Sequence, residues 1–293
     1  MIIGKYNSVK ELMQSNEKFH ICLPGGGAAG AIQAGMLCAI YDYYRDKIAS
    51  ITGSSVGALN GAALLFNEGR DKLQDIWMNM ESQKVYWRFP SFYSLLRPNP
   101  LYKIIEEVIS GRIKSSFRCT VVLTKFQDST KKWIKSDEVS IEYFRQALKA
   151  SCAIPVLFPA IQIDKSWYVD GGVVNNIPVR PIIYDINSDN EITNNILILH
   201  TQSPPIDQPE IKPTIITQLK SIISLLLRAN QEDDIRKIKY LNELNDEYPD
   251  KSNINLNVVY PEMNLGTFQF VKEDCRAGFL LGYNSIYSNN KEV

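Results

Sequence analysis

Residues Ile51-Thr52-Gly53-Ser54-Ser55-Val56-Gly57 (ITGSSVG) join an apolar, strand-like run near 49–53 to a helix-like stretch, 56–68, rich in small residues such as Ala58, Gly61, Ala62 and Ala63. This is G-x-S-x-G placed at a strand-to-helix turn. Such a turn holds its serine backbone in a strained conformation and brings neighbouring chain too close for side chains, which suits Gly53 and Gly57 as flanks and projects Ser55 Oγ as a nucleophile. The helix N-terminus beneath it favours developing negative charge. The competing reading is a structural turn that contains serine.

Upstream, Leu23 to Ile32 (LPGGGAAGAI) follows a second apolar run, Phe19 to Leu23, and leads into Ala34, Met36, Leu37 and Ile40 at helical spacing. Gly25, Gly27 and Gly30 match G-x-G-x-x-G, the loop that approaches a dinucleotide pyrophosphate. A dinucleotide site wants an acidic residue about 20 residues on, at the end of the second strand. That strand ends in Gly53-Ser54-Ser55, and Asp42 and Asp46 lie on or just after the intervening helix. No lysine followed by Ser or Thr closes the glycine run, so P-loop chemistry is absent as well. An oxyanion hole fits better, with the amides of Gly26 and Gly27 sitting on the strand adjacent to the one that delivers Ser55.

A serine at its ordinary pKa needs a base. Asp170-Gly171-Gly172 ends a strand-like run, Trp167 to Val169, and two glycines after a carboxylate suit a tight turn that brings Asp170 against other backbone. Asn175 and Asn176 follow as candidates to position that turn through side-chain-to-backbone bonds. Of the two histidines, His20 lies inside the first strand and reads as a core or sheet-face residue. His200 ends the apolar run Asn195 to His200, and Ser55, Asp170 and His200 follow the chain order of α/β-hydrolase triads, which is weak evidence by itself.

The wider chain bounds these readings. With 293 residues, 45% hydrophobic and 22% charged, it has the composition of an ordinary globular protein with a large core. Lys plus Arg equals Asp plus Glu at 32 each, so no global field favours nucleic acid. Cys22, Cys38, Cys119, Cys152 and Cys275 are scattered without CxxC spacing, which points to buried thiols in a reducing compartment rather than to disulfides or zinc. No calcium-loop spacing occurs either, and no metal or cofactor is expected. The N-terminus lacks signal-peptide layout, and no apolar run approaches the ~20 residues that span a bilayer. A soluble, cytoplasmic chain is the expectation, with signal-independent secretion left open.

Alternating patterns read as strand 18–24, helix 29–45, strand 49–53, helix 56–68, helices 72–80 and 100–109, strands Cys119 to Thr124 and Trp133 to Ile134, and an amphipathic helix Ile141 to Ser151. Asp164-Lys165-Ser166 turns a hairpin between Ile161–Ile163 and Trp167–Val169. Gln202 to Pro213 carries four prolines in twelve residues and reads as a loop. Helices Thr214 to Ala229 and Glu232 to Glu247 follow, the first with a broad apolar face suited to core packing or to a membrane surface. Tyr86 to Leu96 (YWRFPSFYSLL) reads as an acyl-channel lining, a membrane-facing rim or a packed insertion.

Taken together, GGGAAG, GSSVG, ASCAIPVLFPAI (Ala150 to Ile161) and DGGVVNNIP (Asp170 to Pro178), in this order and spacing, resemble the patatin-like phospholipase family. The resemblance is close over Lys18 to Val179 and looser over Arg276 to Tyr287. It implies a single α/β domain over 1–293, a three-layer α/β/α sandwich with a mainly parallel sheet, whose motif-bearing core is about 18–180 and whose C-terminal helical part is about 214–290. It also implies a serine–aspartate dyad: Ser55 attacks an acyl ester, Asp170 is the general base, Gly25, Gly26 and Gly27 hold the oxyanion, and Gly30, Gly53, Gly57, Gly171 and Gly172 support the motifs. The family usually carries a basic residue where this sequence has Ala29, so charge assistance at the loop is lost while the backbone donors stay.

The function so implied is that of a phospholipase A or lysophospholipase acting on phospholipid or another acyl-ester lipid at a peripheral membrane surface, without nucleic acid. A triacylglycerol lipase or acyltransferase with the same dyad is the alternative, and a non-catalytic lipid- or partner-binding protein is the rival from another class. An activating protein partner is left open.

Overall fold

The computed structural model describes residues 2–4, 9–15, 17–88, 90–188, 193–202, 218, 221–222, 225, 236, 240 and 254–287. The expected proline-rich loop and the two helices after it lie almost wholly outside these residues. Among them the order is β1 (Ile2–Gly4), α1 (Val9–Gln14), β2 (Phe19–Leu23), α2 (Gly30–Tyr44), β3 (Ile48–Ser54), α3 (Val56–Ala63), α4 (Gly69–Met78), α5 (Ser82–Val85) and α6 (Asn99–Val108). Then come β4 (Arg118–Lys125), β5 (Lys131–Lys135), α7 (Ile141–Ser151), β6 (Ile161–Ile163), β7 (Ser166–Asp170), α8 (Arg180–Ser188), β8 (Asn195–Leu199), β9 (Asn255–Val259) and α9 (Lys272–Tyr287).

The strands form one sheet in the order β1-β9-β8-β2-β3-β4-β7-β6, with β5 also on β4. Its five central strands, from β9 to β4, are parallel, and β1, β5, β6 and β7 add antiparallel edges. The central strands are apolar on both faces, as a sheet covered on both sides requires. Along β2, Phe19, Ile21 and Leu23 join one core while Cys22 joins the other. Along β8, Leu197 and Leu199 alternate with Ile196 and Ile198 in the same way. The larger core is covered by α2, α3, α4, α6, α7 and α9, the smaller by α8 through Ile182 and Ile186. The molecule is thus an α/β protein whose central, mostly parallel sheet is flanked by helices.

Helix α2 is buried on every side from Gly30 to Ile40. A helix that is apolar all round must lie inside the protein, and here α9 covers what the sheet does not. The two helices approach so closely that a Cβ on Gly35 would stand 2.0 Å from the Phe279 carbonyl oxygen, and one on Gly282 2.0 Å from that of Ile32.

Besides β1, α1 and α5, which the sequence reading did not assign, three elements depart from expectation. The helix expected over 56–68 ends at Ala63, because Phe66 pairs with Ile113 and Glu68 adopts a left-handed turn (φ 63) that starts α4. The C-terminal stretch expected to be helical also supplies β9, which is paired to β8 through five residues. Helix α8, short and with its apolar face on the smaller core, had no counterpart in the reading of the sequence.

The α2–α9 crossing leads to a stability prediction. Gly35→Ala forces the helices apart against backbone rather than a movable side chain, and overpacking of this kind costs about 1–3 kcal/mol or more. A thermal melt should show Tm lowered by about 2 °C or more, and an unchanged Tm would mean the crossing is looser than described.

Candidate active site

The sheet fixes the site through register. Strand β3 pairs with β4 as far as Ser54 opposite Val122, and antiparallel β7 pairs with β4 from Leu123 opposite Asp170. Strand β5 spans Thr120 to Thr124 of β4 and so takes the other edge. Strands β3 and β7 therefore lie end to end along one edge of β4, and the residue after β3 meets the last residue of β7.

That residue is Ser55, and it has φ 53 and ψ −128. A non-glycine residue with this φ is strained and is held only where its surroundings over-determine it. Two constraints do so here. Gly57 packs its Cα against the end of β2, where a Cβ would be 2.2 Å from the Leu23 oxygen. The Ser55 N–H donates to Ser151 Oγ at 3.0 Å, and the Ser151 hydroxyl donates to the Val122 carbonyl at 2.8 Å. The turn leaves Ser55 Oγ donating to Asp170 Oδ2 at 2.6 Å.

Asp170 is buried, 2% exposed. Its Oδ1 accepts from the Gly172 N–H at 2.7 Å, capping a short turn over Gly171–Val173, and its own N–H donates to the Ala153 carbonyl at 2.9 Å. Burial pushes its carboxyl up from 3.8 to about 7, against the opposing pull of the hydrogen bonds from Ser55 and Gly172. A carboxylate so placed changes charge near neutral pH, the range in which a base is most effective.

The glycine loop leaves β2 at the same end of the sheet. Parallel strands β2 and β8 are neighbours whose next strands, β3 and β9, lie on opposite sides of the pair, a switch point where α/β proteins form their sites. The Gly25 N–H donates to Asn176 Oδ1 at 2.9 Å, and Thr201 Oγ1 donates to the Gly25 carbonyl at 3.0 Å. Gly25 is thus a tether of the loop, and its amide is already engaged. Gly26 and Gly27 lie beyond the end of β2 rather than on it, and their N–H groups make no hydrogen bond to any described residue. Gly27 lines the same slot as Ser55.

The remaining motif glycines sit where chain meets chain: Gly30 at the start of α2 against Val56, Gly53 against α3, and Gly171 against the Val122 carbonyl. Ala29 is fully buried, a position in which a basic side chain would have no solvent.

From Ser55 a narrow apolar slot of about 60 Å³ runs between Val56, Leu59, Trp77, Leu101, Cys152 and Phe158. Burial pushes the Cys152 thiol well up, which keeps it neutral beside Asp170. All five cysteines are buried, and none is in a disulfide. Neither histidine bonds to Ser55 Oγ or to the Asp170 carboxylate. His200 Nδ1 accepts from the Gln202 N–H at 3.1 Å, and its ring lies 5.0 Å from that of Tyr260. His20 Nδ1 is 2.8 Å from Ser50 Oγ at the opposite end of β2, and burial lowers its pKa to about 4.

Sequence reasoning missed three supports of the site. Ser151 was quoted within a motif but given no role. Gln33 Nε2 donates to the Pro24 and Leu199 carbonyls, both at 3.0 Å, and Asn60 joins Gln33, the Gly30 carbonyl and Trp77 Nε1. The available signal was a lone amide in an otherwise apolar helix, at Gln33 and again at Asn60. The Asn176 side chain, expected to position the Asp170-Gly171-Gly172 turn, accepts from the Gly25 N–H of the glycine loop, whereas the buried side-chain amide of Asn175 makes no hydrogen bond among the described residues.

The profile of the patatin-like phospholipase family matches residues 21–183, more than half of the chain. Uncharacterized NTE family proteins of Mycobacterium bovis and Mycobacterium tuberculosis are 25% identical over 181 residues, 60% of this chain and 48% of each relative. The chain spans about half the length of these curated relatives. A crystal structure of VipD from Legionella pneumophila aligns with a TM-score of 0.47 and 12% identity, over 94% of this chain and 67% of that chain. Among the described residues no group of His, Cys, Asp or Glu is arranged to hold a metal ion, and no helix is long and apolar enough to cross a membrane.

The raised carboxyl has a measurable effect on stability. Folding tightens the proton on Asp170, so its contribution to stability is full below pH about 4 and is lost as pH rises through about 7. Asp170→Asn removes that loss. The Tm of the variant minus that of the wild type should grow between pH 4 and 8, by about 2 °C or more, and a difference independent of pH would rule out a carboxyl raised by burial.

Proposed function

Because the chain belongs to the patatin-like phospholipase family, we propose that it hydrolyses acyl esters of lipids as a phospholipase A or lysophospholipase, with Ser55 as nucleophile and Asp170 as its base. The observation that carries the reading is the 2.6 Å hydrogen bond between Ser55 Oγ and Asp170 Oδ2, set on a strained turn at the head of an apolar slot.

In the first half-reaction Ser55 Oγ attacks the ester carbonyl and its proton passes to Asp170 Oδ2. The oxyanion of the tetrahedral intermediate takes hydrogen bonds from the Gly26 and Gly27 amides, while Gly25, tied to Asn176, holds the loop in place. Collapse breaks the ester C–O bond, and the leaving alcohol receives the proton from Asp170. Water then attacks the acyl-enzyme, Asp170 takes its proton, and the second collapse frees the fatty acid and returns the proton to Ser55. The slot receives the acyl chain. A raised carboxyl assists both halves, because it accepts a proton more readily than an ordinary aspartate and releases it again near pH 7.

Release of fatty acid from phospholipid vesicles and labelling by a fluorophosphonate test this together. Ser55→Ala should lower turnover by roughly a thousandfold or more and abolish labelling. Labelling mapped to another residue would end this mechanism, and absence of both in the wild type would favour the passive binder. Asp170→Asn should cost about 10²–10⁴-fold, since an amide accepts no proton.

The pH profile separates dyad from triad. With Asp170 as sole base, kcat/KM should rise about tenfold per pH unit until pH reaches about 7 and then level. His200→Gln should stay within about threefold of wild type. A folded His200→Gln protein with activity down a thousandfold would instead make His200 part of the machinery.

A further inference from the structure

The slot is lined at one side by Tyr86 and Leu96, by Leu157 and Phe158, and by Thr267 and Phe270, and the described residues between Tyr86 and Leu96 adjoin it as a rim. The first two of these stretches are laced together, with the Leu95 and Leu96 amides donating to the Val156 and Leu157 carbonyls. On this rim Phe92 is 97% and Tyr93 80% exposed, their rings edge to face at 5.3 Å. Trp87, Leu95 and Val156 are each about half exposed. Val156 has φ 70, a costly conformation for a β-branched residue. Single exposed apolar side chains need no explanation, but aromatic and aliphatic ones gathered at the edge of an apolar slot do.

Charge identifies what would cover them. From Ser82 to Ile105 the sequence holds Lys84, Arg88, Arg97 and Lys103 and no Asp or Glu, within a chain whose charges balance as a whole. Lys84, Arg88 and Arg97 are exposed, and none enters an ion pair among the described residues. Exposed Trp and Tyr beside unneutralised cations match an interface with apolar depth and negative headgroups.

We propose that this rim docks on a phospholipid bilayer bearing anionic headgroups. Phe92 and Tyr93 enter the interface, and Lys84, Arg88 and Arg97 draw the face to negative lipid. The proposal rests on the reading of the slot as the acyl site, because the acyl chain would then pass from bilayer to Ser55 without crossing water.

Binding is measured on Ser55→Ala protein, so that it does not depend on turnover, by co-sedimentation with vesicles of phosphatidylcholine alone or mixed with phosphatidylserine at roughly 7:3. The parent should favour the mixed vesicles. Adding Phe92→Ser with Tyr93→Ser should weaken partition about tenfold, and Arg88→Gln with Arg97→Gln should remove most of the preference for anionic lipid. Ile113→Ser, an exposed apolar residue at the far end of the sheet, should leave partition at the parent level. In the active protein the Phe92, Tyr93 double variant should lose about tenfold more activity on vesicles than on a water-soluble short-chain ester. Lack of hydrolysis of either substrate by the wild type would sink the proposed function while the partition data still report on docking. Parent protein that ignores both vesicles, partition unaffected by the double variant, or a dimer that the double variant dissolves would each overturn the docking proposal.

Discussion

The edge of β4 is shared end to end by β3 and β7, and the site depends on that sharing. A parallel strand ending at Ser54 and an antiparallel strand ending at Asp170 occupy consecutive positions, opposite Val122 and Leu123. Residues 115 apart in the chain are thereby set within a hydrogen bond of each other. The same register explains the burial of Asp170. A carboxyl at the end of β7, a strand held between β4 and β6 and covered by α7 and the Gly171–Val173 turn, is cut off from water and holds its proton to about pH 7.

A strained serine and a buried carboxyl both oppose folding, so the surroundings must hold them. The polar network does this at fixed points. Ser151 bridges the Ser55 amide to β4, Gln33 ties α2 to Pro24 and to β8, and Asn60 links α2, α3 and Trp77. Burying an amide without its hydrogen bonds is costly, and Gln33 and Asn60 make theirs to the backbone and side chains that shape the loop and slot. The loop is gripped at Gly25 from two sides, by Asn176 and Thr201, which leaves the next two amides unclaimed among the described residues. With Ala29 buried, any anion stabilisation at this loop rests on those backbone donors.

Polar and apolar parts of the site are divided between the two sides of Ser55. Asp170 and its hydrogen bonds lie at the end of β7, and the slot toward Trp77 and Leu101 is almost wholly apolar. Such a division suits a substrate with one polar, reacting end and one hydrocarbon chain.

The sequence by itself determined the local structures and the chemistry they can carry. The strained turn at Ser55, the glycine loop after β2, the turn at Asp170 and the alternation of strand and helix each depend on neighbours a few residues apart, so spacing and residue type reveal them. Their meeting was legible only as a family pattern of four motifs. Tertiary structure alone decided that Gly25 tethers the loop while the Gly26 and Gly27 amides bond to no described residue, that Ser151 and Gln33 are part of the support, and that His200 faces Gln202 and Tyr260 instead of the serine. It also ended α3 at Ala63 and added β9 and α8, since pairing partners and covering faces override local propensity. The physical reason is distance along the chain: Gly25 and Asn176 are 151 residues apart, and only the packed sheet brings an amide of one to the oxygen of the other.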